Sequence, residues 1–67
     1  MKKRELIRAL RDLAATHDVT LELVREGANH EIWAIGSLQF PIVRHAEIPE
    51  QTARGTIRAA RNYLENP

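Results

Sequence analysis

The apolar residues of this chain change their spacing twice. Near the N-terminus they recur every three to four positions, in the middle they alternate with polar residues, and towards the C-terminus the longer spacing returns. A spacing near 3.6 residues predicts an amphipathic helix, whereas alternation predicts a half-buried strand. The chain therefore predicts a helix at each end with strands between them.

The first apolar stripe predicts a helix from about Lys3 to Thr16. Its members are Leu6, Ile7, Leu10, Leu13 and Ala14. Arg4, Arg8 and Arg11 repeat at helical spacing about a third of a turn away, so they form a second stripe. We expect this arginine stripe to face solvent.

The alternating region begins with a predicted strand from Val19 to Arg25. Leu21 and Leu23 alternate there with polar residues, which is the pattern of a strand with one buried side. We expect both leucines on that buried side. The residues Glu26-Gly27-Ala28-Asn29 that follow predict a turn.

Two further strands are predicted after this turn. One runs from His30 to Ile35 and ends at Gly36-Ser37, which signals a tight hairpin. The other follows over residues 38–43. Because Pro41 cannot donate a ladder hydrogen bond, this third strand should lie at an edge or place the proline at an unpaired position.

The C-terminal segment predicts a second helix that runs to about Leu64. Its buried face comprises Ala53, Ile57, Ala60 and Leu64, and its arginine stripe comprises Arg54, Arg58 and Arg61. Pro49 suits the first turn of a helix, and Glu50 suits the positive end of the helix dipole. Since glycine inside a helix costs about 1 kcal/mol relative to alanine, a start nearer Gly55 is the alternative.

The predicted fold class is α+β, with the order α-β-β-β-α. Two helices with one apolar face each need a common surface, which a three-stranded antiparallel sheet provides when both helices lie on one face. The 67 residues predict a single domain, 1–67, without disulfides because the chain has no cysteine. A domain of this size buries only roughly 60% of its unfolded surface, so its stability should be marginal.

The chain carries no sign of a membrane or secretory segment. Its charged start excludes the apolar part of a signal peptide, and no apolar run approaches the roughly 20 residues of a membrane span. These features predict a soluble, cytoplasmic protein without a membrane partner.

The net charge is only +1. The positions of the charged residues therefore indicate more about a possible partner than the net charge does.

Candidate catalytic chemistry is scarce. His17, His30 and His45 are widely spaced and lack the intervals of a zinc site, so neither a metal nor another cofactor is predicted. The acidic residues are scattered, and there is no glycine-rich phosphate loop. His30 is the exception, because it is the first residue of a predicted strand and directly follows the turn Gly27-Ala28-Asn29.

The arginine stripes favour a nucleic-acid partner, because a guanidinium group binds phosphate oxygens in a fixed fork. If that partner is RNA, the 2′-hydroxyl supplies the nucleophile and the protein needs only to move protons and stabilise charge. An imidazole exchanges protons near neutral pH, and such transfer typically contributes 10²–10⁴-fold to a rate. His30 is therefore predicted to act as a general acid or base.

Three motifs in this order resemble the HicA family of toxin–antitoxin mRNA interferases. They are Gly27-Ala28-Asn29-His30, Arg44-His45, and the stretch from Glu47 to Arg58 with its Gly55-Thr56 pair. The resemblance spans nearly the whole chain. It implies a double-stranded-RNA-binding-domain-like fold, metal-independent cleavage of mRNA, and inhibition by a HicB-type antitoxin that covers the active histidine.

The resemblance places the catalytic role on His30. The residues predicted to bind the RNA are Lys3, Arg4, Arg8, Arg11, Arg44, His45, Arg54, Arg58 and Arg61. Two alternatives stay open at this point: a non-catalytic RNA-binding module of the same fold, and a protein-interaction subunit that uses the open face of the sheet. Both parities of the strand from His30 to Ile35 contain apolar residues, so alternation leaves open which face His30 occupies.

Overall fold

Two helices and three strands make up the fold. The computed structural model describes residues 1–66, so Pro67, the last residue of the predicted domain, lies outside the described residues. The elements are α1 (Lys3–Ala15), β1 (Leu21–Glu26), β2 (His30–Ile35), β3 (Leu38–Val43) and α2 (Glu50–Glu65). This order confirms the predicted α-β-β-β-α arrangement. Neither helix has the length and apolar content needed to cross a membrane, within the part of the chain that is described.

The three strands form one antiparallel sheet in the order β1-β2-β3. β3 is therefore an edge strand, as Pro41 predicts. The β2–β3 hairpin turns at Gly36, which has a φ of +60°. Its next residue, Ser37, donates its N–H to the Tyr63 hydroxyl of α2 at 3.0 Å, with the Ser37 hydroxyl 2.9 Å from the same oxygen. The hydrogen bonds from Ser37 lower the pKa of the Tyr63 phenol.

Both helices pack on one face of this sheet. The largest fully buried side chains are Leu6 and Leu10 of α1, Ile35 of β2, and Ile48 just before α2. The predicted apolar stripes of both helices supply the rest of the helical side of the core: Ala14, Ala53 and Ala60 are buried, and Ile7, Leu13, Ile57 and Leu64 pack against the core. Within residues 1–66, the opposite face of the sheet carries no helix.

β1 departs from its predicted boundaries and burial. It begins at Leu21 rather than Val19, and Leu23 is 44% exposed although its alternation with Leu21 places it on the inner side. Two features explain the difference. The register of β1 against β2 shifts between Leu23 and Arg25, and only the first residue of this strand is buried beneath the helices. A β-bulge of this kind bends an edge strand away from the body of a sheet.

α2 begins at Glu50, directly after Pro49, and the alternative start near Gly55 is wrong. Gly55 lies inside the helix and is exposed. The first turn forms in spite of the glycine because Ala53 is fully buried and Ile48 is only 2% exposed just ahead of the helix. Burial of these two residues offsets the low helix propensity of Gly55.

α1 ends in a Schellman motif. The N–H of Val19 donates to the Ala14 carbonyl at 3.0 Å, and the N–H of Asp18 donates to the Ala15 carbonyl at 3.1 Å. Asp18 has a φ of +58°, the left-handed position that glycine usually fills. Val19 then packs against the core beside Ala14, which turns the chain back towards β1.

Both helices run in the same direction along the sheet. At one end, the Lys3 ammonium group of α1 contacts the Glu31 carboxylate of β2. At the other end, Tyr63 of α2 contacts the β2–β3 hairpin. The helix N-termini therefore lie near the start of β2, and we call this the His30 end of the molecule.

Alanine at Gly36 and alanine at Gly55 should change stability in opposite directions. A Cβ at Gly36 would lie 2.6 Å from the Tyr63 hydroxyl at an unfavourable positive φ, so Gly36→Ala should lower the free energy of unfolding by about 1–2 kcal/mol. A Cβ at Gly55 would meet nothing within 4 Å, so Gly55→Ala should raise it by about 1 kcal/mol. Urea denaturation measures both changes, and shifts of the same sign would contradict the prediction.

Candidate functional site

His30 is the first residue of β2, and its side chain is exposed. Along this strand Trp33 and Ile35 pack on the helix side, so period-two alternation places His30 on the opposite, open face. Within residues 1–66 the imidazole forms no hydrogen bond with another side chain or with the backbone. Both ring nitrogens are thus accessible for proton transfer.

The turn before His30 is tight. The N–H of Gly27 donates to the His30 carbonyl at 2.7 Å. A Cβ at Gly27 would lie 3.0 Å from that carbonyl oxygen, closer than ordinary van der Waals contact. Glycine therefore allows the chain to reverse direction within three residues, and this tight turn determines that β2 begins at His30.

Arg44, just beyond the end of β3, contacts the same turn twice. Its backbone N–H donates to the Asn29 carbonyl at 3.1 Å. Its guanidinium Nη1 donates to the Gly27 carbonyl at 2.8 Å. The turn that carries His30 is therefore fastened to the end of the neighbouring strand.

His45 follows Arg44 and is exposed. Because His30 pairs with Val43 in the β2–β3 ladder, His45 lies just past the end of that ladder, at the same end of the sheet. The structure thus brings His30, Arg44 and His45 together, as two adjacent strand ends require.

The arginine stripes are exposed on both helices, as the sequence predicts. On α1 the stripe shares this exposed surface with the acidic residues Glu5 and Asp12. Since a helix rises 1.5 Å per residue, Arg4 lies near the His30 end and Arg11 about two turns further away. The stripes therefore extend along the molecule away from the site.

The arginines differ in their partners. Arg54 forms an ion pair with Glu50 at 3.3 Å, one turn earlier in α2. The other members of the two stripes have no carboxylate within salt-bridge distance among residues 1–66: Arg4, Arg8, Arg11, Arg58 and Arg61. These five guanidinium groups keep their charge available to an anionic partner.

Lys3 differs from the other predicted RNA-binding residues, because it is engaged within the protein. Its ammonium group contacts the carboxylate of Glu31, which is 8% exposed on the helix side of β2. The same carboxylate oxygen accepts a hydrogen bond from the indole N–H of Trp33 at 3.0 Å. The Lys3 hydrogen bond is the main cause that lowers the pKa of Glu31, and the Trp33 hydrogen bond and the charges of Lys3 and Arg44 add to it against the effect of burial.

This cluster also determines what Trp33 does. Its indole packs against the core and donates its N–H to Glu31, so the ring is not free to stack on a nucleic-acid base. Phe40 packs against the core as well. The sequence carries no local signal for the Lys3–Glu31 pair, because the two residues are distant in the chain.

His17 lies at the other end of the molecule, next to the end of α1. Its Nδ1 is 3.1 Å from the Thr16 hydroxyl and 3.2 Å from the Leu13 carbonyl. Among residues 1–66, no group of three or more His, Asp or Glu side chains is placed to hold a metal ion.

No protein-family model, no curated protein and no solved structure matches this chain.

Proposed function

We propose that this protein is a HicA-type toxin, a metal-independent endoribonuclease that cleaves mRNA with His30 as general acid or base. One observation carries the proposal. The imidazole of His30 is exposed, forms no hydrogen bond within residues 1–66, and stands on a turn held by Arg44 at the end of the sheet. A proton-transfer group needs this combination of solvent access and a fixed place in the backbone.

The chemistry requires no group that the chain lacks. The 2′-oxygen of a ribose attacks the adjacent phosphorus, the 5′-oxygen of the next nucleotide leaves, and a 2′,3′-cyclic phosphate forms. One proton leaves the 2′-hydroxyl and one joins the departing 5′-oxygen, so an imidazole at the site can take or give a proton. A nearby guanidinium stabilises the charge that develops on the phosphate oxygens.

The exposed arginines support an extended RNA contact. The proposed RNA-binding residues are Arg4, Arg8, Arg11, Arg44, His45, Arg54, Arg58 and Arg61, with Lys3 as a member whose ammonium group is paired with Glu31 in the free protein. Arginine forks bind phosphate oxygens without regard to sequence. The stripes lie on the helix layer and His30 lies on the opposite face of the sheet, so an RNA that contacts both would pass around the His30 end of the molecule.

The proposal includes a protein partner and a location. A HicB-type antitoxin would inhibit the enzyme by covering His30, which the helix-free face of the sheet leaves accessible. The cytoplasm is the proposed location, because the mRNA substrate is present there. An acidic protein encoded next to this chain is the expected antitoxin.

Cleavage of a labelled mRNA by the purified protein in the presence of EDTA tests this function. We expect fragments that end in 2′,3′-cyclic phosphate, and no cleavage where a 2′-deoxynucleotide replaces the ribose at the cut site. The assay is run in buffer and in a translation extract, so that a requirement for ribosomes is detected. Failure to cut in both settings would contradict the enzyme.

A second candidate is a protein-interaction subunit, and one observation favours it. Leu23 and Val24 of β1 are 44% and 50% exposed, which is unusual for two adjacent aliphatic residues on a strand edge. This function predicts no RNA binding at low salt. Binding that weakens with salt but is not followed by cleavage would instead indicate a non-catalytic RNA-binding module.

A further inference from the structure

Arg44 has a role that differs from the other arginines. The sequence groups it with the RNA-binding residues, yet its guanidinium already donates to the Gly27 carbonyl at 2.8 Å. No other side chain within residues 1–66 forms a hydrogen bond with the turn at residues 27–29. The arginine nearest to His30 is thus occupied by the protein itself.

Three hydrogen bonds enclose this turn. The Gly27 N–H donates to the His30 carbonyl at 2.7 Å, and the Arg44 N–H donates to the Asn29 carbonyl at 3.1 Å. The third bond is the one from the Arg44 guanidinium to the Gly27 carbonyl. The turn residues are exposed and contribute nothing to the core. The ladder pair of His30 with Val43 fixes the end of the turn, and the Arg44 side chain adds the one side-chain hydrogen bond to it among residues 1–66.

We propose that Arg44 is a positioning residue, which holds the backbone that carries His30 in place by bracing the Gly27–Asn29 turn from the end of β3. The inference rests on the proposed function, in which His30 acts on RNA. Proton transfer is sensitive to placement, because a displacement of about 1 Å can lower a rate about 10²-fold. Lysine is a poor substitute in this brace, since its single donor nitrogen lies one bond nearer the backbone than the Nη1 that donates to Gly27 and is carried on a flexible stem.

Two substitutions separate bracing from charge. Arg44→Gln removes both, whereas Arg44→Lys keeps the charge and ends one bond short of the Nη1 that donates to the Gly27 carbonyl. We expect both to lower kcat about 10- to 100-fold with little change in KM, and we expect Arg44→Lys to keep the salt dependence of RNA binding. Arg58→Gln, on an exposed arginine of α2 without a carboxylate partner, is the matched control and should raise KM and reduce the salt dependence instead.

The opposite pattern would overturn the proposal. If Arg44→Gln raises KM at unchanged kcat and lowers the salt slope while Arg44→Lys behaves as wild type, Arg44 is a phosphate contact. The same experiment on the same three variants thus distinguishes a brace from a ligand.

Hydrogen exchange of the Gly27 amide tests the brace without any RNA. This amide donates to the His30 carbonyl, so a loosened turn should exchange about 3- to 10-fold faster in Arg44→Gln, as expected for loss of one hydrogen bond. Arg58→Gln should leave the rate unchanged. Equal Gly27 rates in wild type and Arg44→Gln would overturn the inference, whereas a wild-type protein that fails to cleave RNA would overturn only the proposed function.

Discussion

Replacing His30 by alanine is expected to lower the rate of RNA cleavage by about 10²–10⁴-fold, the usual contribution of a general acid or base. RNA affinity should change little, because the arginine stripes lie on the helices and His30 lies on the open face of the sheet. Folding should also be preserved, since the imidazole is exposed and forms no hydrogen bond within residues 1–66. Single-turnover cleavage and equilibrium binding of the same RNA measure the two quantities separately.

His17→Ala is the matched control for this substitution. His17 is also an exposed histidine, but it lies beyond the end of α1 at the far end of the molecule. Expression of wild type and both variants in a bacterium should give growth arrest with wild type and His17→Ala and normal growth with His30→Ala. Equal effects of wild type and His30→Ala would show that imidazole chemistry is not the function.

Replacing Lys3 by methionine is expected to lower the free energy of unfolding by about 2–4 kcal/mol, because it leaves a buried carboxylate without its cation. Methionine matches the length of the side chain and suits a helix. Glu31 would keep only the Trp33 indole as a direct partner. Since a domain of this size has a stability of a few kcal/mol, part of the population should unfold at room temperature.

The Lys3–Glu31 pair also predicts how stability depends on pH. The folded state lowers the pKa of Glu31 below its ordinary value of 4.5, so the pair contributes its full stability above that value. The contribution is lost as pH falls through the lower folded-state pKa, because the unfolded chain binds the proton first. Urea denaturation between pH 7 and pH 3 should show a smaller acid-induced loss in Lys3→Met than in wild type.

Lys2→Met provides the control for Lys3→Met. Lys2 precedes Lys3, is exposed, and has no ion pair within residues 1–66, so its removal changes the net charge equally without opening the buried pair. A matching loss of stability in both variants would indicate a general charge effect. Unchanged stability in Lys3→Met, with weaker RNA binding, would return Lys3 to the role that the sequence predicts.

Local patterns in the sequence predict most of the fold. The stripe that contains Leu6 and Leu10 and the pair Gly36-Ser37 each act over a few residues, so helix faces and the hairpin follow from propensity and spacing. The bulge in β1 is different, because the exposure of Leu23 depends on how far the helices extend over the sheet. Asp18 likewise takes a glycine position that no local preference indicates.

The candidate site likewise has features that the sequence predicts and contacts that only the folded chain reveals. His30 is recognisable because a glycine turn precedes a strand, and both signals are adjacent in sequence. The contacts of Arg44 with Gly27 and of Lys3 with Glu31 connect residues that only the folded chain brings together. Their charges suggest binding to a partner, whereas the folded chain gives each of them a contact within the protein.

The two edges of the sheet differ in a way that limits self-association. β3 contains Pro41, which removes one donor from its outer edge, whereas β1 exposes Leu23 and Val24 on an unpaired edge. If two copies joined through β1, the outer strands of the combined sheet would both be β3. Such an assembly would close at two copies, so the edge proline protects the chain against growth into fibres.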